Sequence, residues 1–192
     1  MLKNKISKLL TLRKTINIID ASIFKLLQKR SFVVKQVGML KKSAPSKIAF
    51  AREINIAKKI NKTDFGLYNP IFMQKIWREL ISASLYIEGG LRILIYKDFN
   101  LWELAKDHFS GGANLEMCED IPFMLNELVS GKCECIVLPD FTDSPINWKD
   151  ILIEEKYADI NINLKLPYFK EIKTFDNKQG FVLSLSKETM IL

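Results

Sequence analysis

The chain has 192 residues, 48% hydrophobic and 27% charged, with 12 Phe, 3 Trp and only 8 Gly and 6 Pro, a composition that buries a core and excludes disordered or collagen-like chains. Its length exceeds the commonest size of one domain and falls short of two full ones, which predicts one domain plus a smaller unit. The sign of the charge changes along the chain: residues 1–90 carry 18 Lys and Arg against 5 Asp and Glu, a net of +13, whereas residues 91–192 carry 11 against 17, a net of −6. A basic half suggests an anionic partner, either nucleic acid or a small polyanion, although Lys outnumbers Arg 24 to 5 and much of that excess can be solvated surface.

Cys118, Cys133 and Cys135 cannot all pair within the chain, and none stands in the C-x-x-C spacing of a zinc site. A reduced, cytoplasmic protein without a metal centre is expected. No apolar run approaches the ~20 residues that span a bilayer. Lys3, Lys5, Lys8, Arg13 and Lys14 interrupt the apolar residues at the start of the chain, so no signal peptide is expected either. An amphipathic organelle-targeting peptide is the alternative.

The first half predicts three helices. Leu9, Leu12, Ile16, Ile19, Ile23, Leu26, Arg30, Val33, Val37 and Leu40 step by alternating threes and fours, one seam of period ~3.5. The helix that carries it, from about Ile6 to Lys42, would be ~55 Å long at ~1.5 Å per residue, more than a small domain can cover, which predicts a homodimer. A break at Ser43-Ala44-Pro45-Ser46 precedes a second helix, with Ile48, Ala51, Ile54, Ile56, Ala57 and Ile60, ending near Asn61. After a loop containing Gly66 and Pro70, a third helix runs from about Ile71 to Glu88, with Phe72, Ile76, Leu80, Ala83 and Ile87 on one face and Gly89-Gly90 as its stop.

The second half is different in kind. Arg92–Tyr96 reads as a strand, Leu101–Phe109 and Ile121–Val129 as helices, Cys133–Pro139 as a strand, and Ile160–Leu166 and Gly180–Leu185 as further strands. The expected fold class is therefore α plus α/β: a three-helix unit over residues 1–90 and a small α/β unit over 91–192, with Gly89-Gly90 as the boundary. His108 reads as a helix-surface residue. Cys133 and Cys135, two apart on a strand, should pack on the same face. Gly111-Gly112 lacks the surroundings of a phosphate loop.

Arg30 is the informative seam residue. A buried guanidinium costs several kcal/mol unless something anionic pairs with it, so the core must supply or receive an anion. Lys41, eleven residues later, lies on the same helix face, and the two cations could line one pocket for a dianion. Arg13, seventeen residues earlier and about 100° off that face, points elsewhere, into the other subunit's pocket if the helix dimerises. Ser84 and Glu88 share a face of the third helix and could close the pocket. Snorkelling at a bundle edge is the plain alternative for Arg30, and surface charge the alternative for Arg52-Glu53.

These residues carry a resemblance. Leu12-Arg13-Lys14 with Ile19-Asp20, Leu26-Leu27-Gln28-Lys29-Arg30, Val37-Gly38-Met39-Leu40-Lys41, Arg52-Glu53, and Ile76-Trp77-Arg78-Glu79-Leu80-Ile81 leading to Ser84 and Glu88 together resemble the all-helical chorismate mutase family over residues from about 9 to 90. The resemblance implies an intertwined helical dimer that rearranges chorismate to prephenate for phenylalanine and tyrosine synthesis, without a cofactor. It implies that Arg30 binds one substrate carboxylate and Arg13 of the partner chain the other. Lys41 would contact a carboxylate and the ether oxygen, Glu53 the ring hydroxyl and Ser84 a carboxylate, with Arg52 supporting the site. Lys41, Glu88 and Arg30 would be the catalytic residues.

Two positions depart from the pattern. The family often has Gln where this chain has Glu88, donating a hydrogen bond to the ether oxygen. A carboxylate cannot donate and a carboxylic acid can, so activity favouring lower pH is expected. Ala49 stands where several relatives carry a charged or polar residue. In the second half, Leu104-Ala105-Lys106-Asp107-His108-Phe109 and Ile136-Val137-Leu138-Pro139 are faintly similar to a lobe of prephenate dehydratase. No Thr-Arg-Phe motif of the kind that carries dehydration there is present, so a degenerate interaction or regulatory module is expected rather than a second activity. The competing hypothesis is an inactive helical dimer acting as a nucleic-acid-binding or regulatory module. It needs exposed basic residues, whereas Arg30 sits within the apolar seam.

Overall fold

The computed structural model describes residues 2–41, 47–140, 142–168 and 179–187. Helix α1 spans Leu2–Leu40, 39 residues and so about 58 Å at ~1.5 Å each. Helix α2 spans Phe50–Lys62 and α3 spans Pro70–Ile87. The expected break at residues 43–46 lies outside the described residues.

Local chemistry explains the boundaries of α3. The Asn69 side chain accepts from the Ile71 N–H, and Pro70 occupies the first helical position, where no N–H is needed. At the other end Gly89 and Gly90 have φ of 120° and 74°. The Gly89 N–H donates to Tyr86 O at 3.1 Å and the Gly90 N–H to Leu85 O at 3.0 Å, the paired bonds of a Schellman stop. Strand β1 begins at the next residue.

The second half is a five-stranded mixed sheet: β1 Leu91–Tyr96, β2 Ala113–Cys118, β3 Cys135–Pro139, β4 Asn161–Leu166 and β5 Gly180–Ser184, in the order β2-β1-β3-β5-β4. Strands β1, β2 and β3 are parallel, and β5 runs antiparallel to β3 and β4. Helix α4 (Phe99–Phe109) connects β1 to β2, and α5 (Ile121–Val129) connects β2 to β3 across β1. The two crossovers move in opposite directions along the sheet, which puts their helices on opposite faces. Two apolar clusters result: Ile93, Ile95, Cys135 and Val137 face α4, while Leu94, Ile136, Leu138 and the fully buried Trp148 of the short helix α6 (Trp148–Ile151) pack with α5.

The helical half joins the first of these clusters. Ile48 just before α2, Phe50 and Ile54 from its start, and Leu85 from α3 are buried against the α4 face. The apolar face anticipated on α3 is the other one: Phe72, Ile76 and Ile87 are exposed in the protomer, and the helix uses Leu85, Ser82 and Gln74 toward the interior. The α1 seam is likewise uncovered, with Leu9, Leu12, Ile16, Ile19, Ile23 and Leu26 between 46% and 65% exposed.

Three expectations need correction. His108 is not on the helix surface: its side chain is 10% exposed and stands beside Glu53 of α2. Cys133 and Cys135 are both buried packing residues but sit in opposite clusters, because β3 starts at Cys135 and Cys133 belongs to the bend before it. Strand β2, with Leu115 and Met117 alternating against Asn114 and Glu116, was not anticipated; it is an edge strand whose polar alternate positions dilute the apolar signal.

At Gly112, in the 3₁₀ turn after α4, the backbones of the two halves come close together. The Gly112 N–H donates to Ser82 Oγ at 2.7 Å, and a Cβ there would lie 2.7 Å from the Ser82 carbonyl carbon. Gly112→Ala is therefore expected to destabilise the protein by about 1–3 kcal/mol, lowering the thermal midpoint by several degrees, whereas Gly111→Ala, which meets open space, leaves it within about 0.5 kcal/mol. Thermal unfolding followed by circular dichroism checks this.

Candidate active site

A cavity of about 380 Å³ opens between α1, the start of α2 and the last two turns of α3. Its charged lining consists of Arg30, Lys41, Lys47, Arg52, Glu53 and Glu88. Formal charges of +4 and −2 leave a surplus of +2 at its wall, suited to a dianion. Of the anticipated site residues, Arg30, Lys41, Arg52, Glu53, Ser84 and Glu88 all line it, as does Ala49. Arg13 does not; it lies far up α1, exposed and outside its own chain's cavity.

Arg30 crosses from α1 to α3. Its Nη1 donates to Ser84 Oγ at 2.6 Å and to the Leu80 carbonyl at 3.1 Å, while the Ser84 hydroxyl in turn donates to Leu80 O. Burial, and then the neighbouring positive charge of Arg52, push the Arg30 pKa down; Glu88 pulls it back up. A guanidinium stays protonated under such pressure, so Arg30 is a half-buried cation whose acceptors among the described residues, Ser84 Oγ and Leu80 O, are both neutral.

Lys41 follows the last residue of α1. Its Nζ donates to the Lys47 carbonyl at 2.9 Å and to Glu88 Oε2 at 3.1 Å. The Glu88 side chain is only 8% exposed. Gly38 makes room for it: a Cβ on Gly38 would come within 3.1 Å of both Glu88 Cα and Cγ. Glu88 itself caps α3, its N–H donating to Ser84 O, so the end of α3 and the end of α1 are fitted to each other at this point.

On the opposite wall, Glu53 in the first turn of α2 stands between this cavity and a narrower, mostly apolar one lined by Phe50, Trp77, Ser82, His108 and Phe109. His108 Nε2 is 3.8 Å from Glu53 Oε2. Burial, with a smaller contribution from Arg78, pushes the His108 pKa down to about 3, so the imidazole is neutral at physiological pH and the contact is not an ion pair.

Two participants were not legible in the sequence. Lys47 lies on no seam, and nothing in its spacing marks it. The part played by the Leu80 carbonyl depends on the backbone. The lining contains no Cys and no His, and its one hydroxyl among the anticipated site residues, that of Ser84, is engaged on both sides. Such an arrangement suits holding an anionic molecule in one shape better than attacking it.

Residues 12–89 match a family model described as chorismate mutase type II. The helical half belongs to that family. A bifunctional chorismate mutase/prephenate dehydratase of Aquifex aeolicus (strain VF5) is 30% identical over 135 residues, covering 67% of this chain and 37% of that protein. This chain thus spans little more than a third of the relative's length, and the aligned stretch is longer than the mutase-family half alone. No solved structure matches the chain significantly. No described helix is long and apolar enough to cross a membrane, and the described residues hold no cluster of metal-ligating side chains.

The neutral, buried His108 ties stability to pH. Its pKa is lower in the folded than in the unfolded state, so the unfolded chain binds the proton first. The contribution is complete above about pH 6.5 and falls as pH drops toward 3, by about 1.4 kcal/mol per unit. Between pH 6.5 and 5 the protein should lose about 2 kcal/mol from this group, a loss that His108→Gln should largely abolish. Denaturant midpoints at the two pH values measure it.

Proposed function

We propose that this protein is a chorismate mutase, a cytoplasmic enzyme that rearranges chorismate to prephenate for aromatic amino acid synthesis, with residues 1–90 as the catalytic unit and 91–192 as an appended α/β unit without a dehydratase activity. The observation that carries this reading is the convergence of Arg30, Lys41, Arg52, Glu53, Ser84 and Glu88 on one cavity within the family-matched half.

The rearrangement is unimolecular: one C–O bond breaks as one C–C bond forms, with no proton transfer to a base, no covalent intermediate and no redox step. A site accelerates it by holding the side chain over the ring and by aiming donors at the ether oxygen as negative charge builds there. Arg30 supplies a half-buried, prepositioned cation for one carboxylate, and Ser84 fixes its direction. Lys41 has N–H capacity beyond its bonds to Lys47 and Glu88 and is the donor for the ether oxygen. Glu53 accepts from the ring hydroxyl, and Arg52 adds to the field that holds the dianion.

Glu88 accepts from Lys41 and as a carboxylate opposes an incoming anion, whereas an amide in its place would donate. Ala49 leaves the adjoining wall without a polar contact, which lowers affinity rather than changing the reaction.

The enzyme works as a homodimer in this reading. The α1 seam exposes Leu9, Leu12, Ile16, Ile19, Ile23 and Leu26. Burying each of these by pairing with a second copy stabilises by about 1–2 kcal/mol, more than an isolated 58 Å helix can forgo. Arg13 then reaches the partner's cavity and takes the second carboxylate.

Loss of chorismate absorbance measures the reaction directly. Turnover is expected, falling at least about 100-fold in Arg30→Ala. A folded dimer that shows no turnover would sink the enzyme reading. Arg13→Ala and Arg30→Ala chains, each inactive alone, should regain activity when mixed and refolded together, because about a quarter of the sites then carry both arginines. Absence of that recovery would show that Arg13 is not shared.

A further inference from the structure

Lys41 does not owe its position to α1 alone. It follows the helix's last residue, its side chain is 30% exposed, and a lysine there has wide rotamer freedom. What fixes it on one side is Glu88 and on the other the carbonyl of Lys47. That carbonyl is in turn fixed by its own side chain, which reaches across to the α/β half: Lys47 Nζ donates to Glu134 Oε1 at 2.7 Å and to the Gly90 carbonyl at the boundary at 3.2 Å.

Glu134 is not a solvated surface partner. It lies in the bend before β3, its side chain is 20% exposed, and both carboxylate oxygens are engaged, Oε2 accepting from the Arg92 N–H of β1 at 2.7 Å. Its own N–H donates to Arg92 O at 2.9 Å. The carboxylate is thus tied to the backbone at the root of the sheet. An exposed ion pair between two long side chains contributes little, but one whose acid is anchored by main-chain hydrogen bonds loses much less freedom on forming.

Resting on the mutase reading above, we propose that Glu134 of the α/β half is a positioning residue for the rearrangement: through Lys47 it holds the Lys41 ammonium at the cavity wall, so that the α/β half is a working part of the site. Glu134 touches no substrate. It acts by keeping the donor aimed where charge develops, an effect felt in the transition state more than in the bound ground state, since the carboxylates are held by arginines.

Two readouts on the full chain test this. Glu134→Gln removes the charge with little change of shape, and Glu134→Asp keeps the charge but shortens the reach. In Glu134→Gln kcat should fall about tenfold with KM within about twofold, Lys47→Met should behave alike, and the double variant should be no worse than either single one. Glu119→Gln, which breaks the exposed pair with Lys97, should leave kcat unchanged. Acetic anhydride labelling followed by mass spectrometry reads the position of Lys41 without reference to activity: its labelling rate should rise about threefold or more in Glu134→Gln while Lys25 and Lys29 are unaffected.

If Glu134→Gln and Glu134→Asp both fold, turn over at the unaltered rate and label Lys41 at the unaltered rate, the linkage is overturned. If the unaltered protein does not turn chorismate over, the mutase reading fails instead. The labelling then still decides whether Glu134 holds Lys41.

Discussion

Helices α1 and α3 meet around a guanidinium, and most of the site follows from what that group requires. Arg30 occupies a seam position that an apolar side chain would fill without cost, and removing a cation from water is unfavourable by several kcal/mol if nothing answers it. The answers come from α3: the Ser84 hydroxyl and the Leu80 carbonyl, both neutral. They satisfy hydrogen-bond geometry without cancelling charge. The cavity is therefore left with a standing positive field, tempered by Glu88, that an anionic molecule completes. The same need fixes the facing of α3, because Leu80 and Ser84, one turn apart, must both look toward α1.

With that face of α3 committed to α1, its remaining surface serves two further purposes. Leu85 and Ser82 close onto the α4 side of the sheet, where Gly112 lets the backbones approach, and Phe72 and Ile76 remain outside with the α1 seam. One helix of 18 residues thus belongs to the cavity, to the core shared with the α/β half and to the uncovered apolar surface. This explains why a helix with an ordinary-looking apolar stripe buries Gln74, Ser82 and Ser84 instead.

Much of this was legible in the sequence, for identifiable reasons. The seam of α1 could be read because its period is unbroken over ten positions, and Arg30 stood out because every neighbour in that seam is apolar. The stop at Gly89-Gly90 was readable from turn chemistry acting over a few residues, and the span of α5 from its apolar pattern. What escaped depends on distant partners. His108 carries no local sign of burial, since the residues that desolvate it come from α2 and α3 as well as from its own helix. Glu134 alternates with two cysteines and looks like the polar position of a strand, until β1 supplies the N–H that fixes it. Lys47 could not be read because its role belongs as much to its carbonyl as to its ammonium.

The stop of α3 passes into β1 with no residue between them, and this has a consequence for how such chains vary. Helix and sheet are geared: one residue inserted in the last turn of α3, ahead of Gly89-Gly90, would turn the helix before it by about 100° and shift it by about 1.5 Å relative to the strands. The acceptors of Arg30 and the anchor of Lys47 would then fall out of phase together, although neither had been altered. A junction of this kind tolerates substitution better than a change of length, and any rearrangement that exchanged the second half for another fold would have to preserve the helical phase as well as the chemistry.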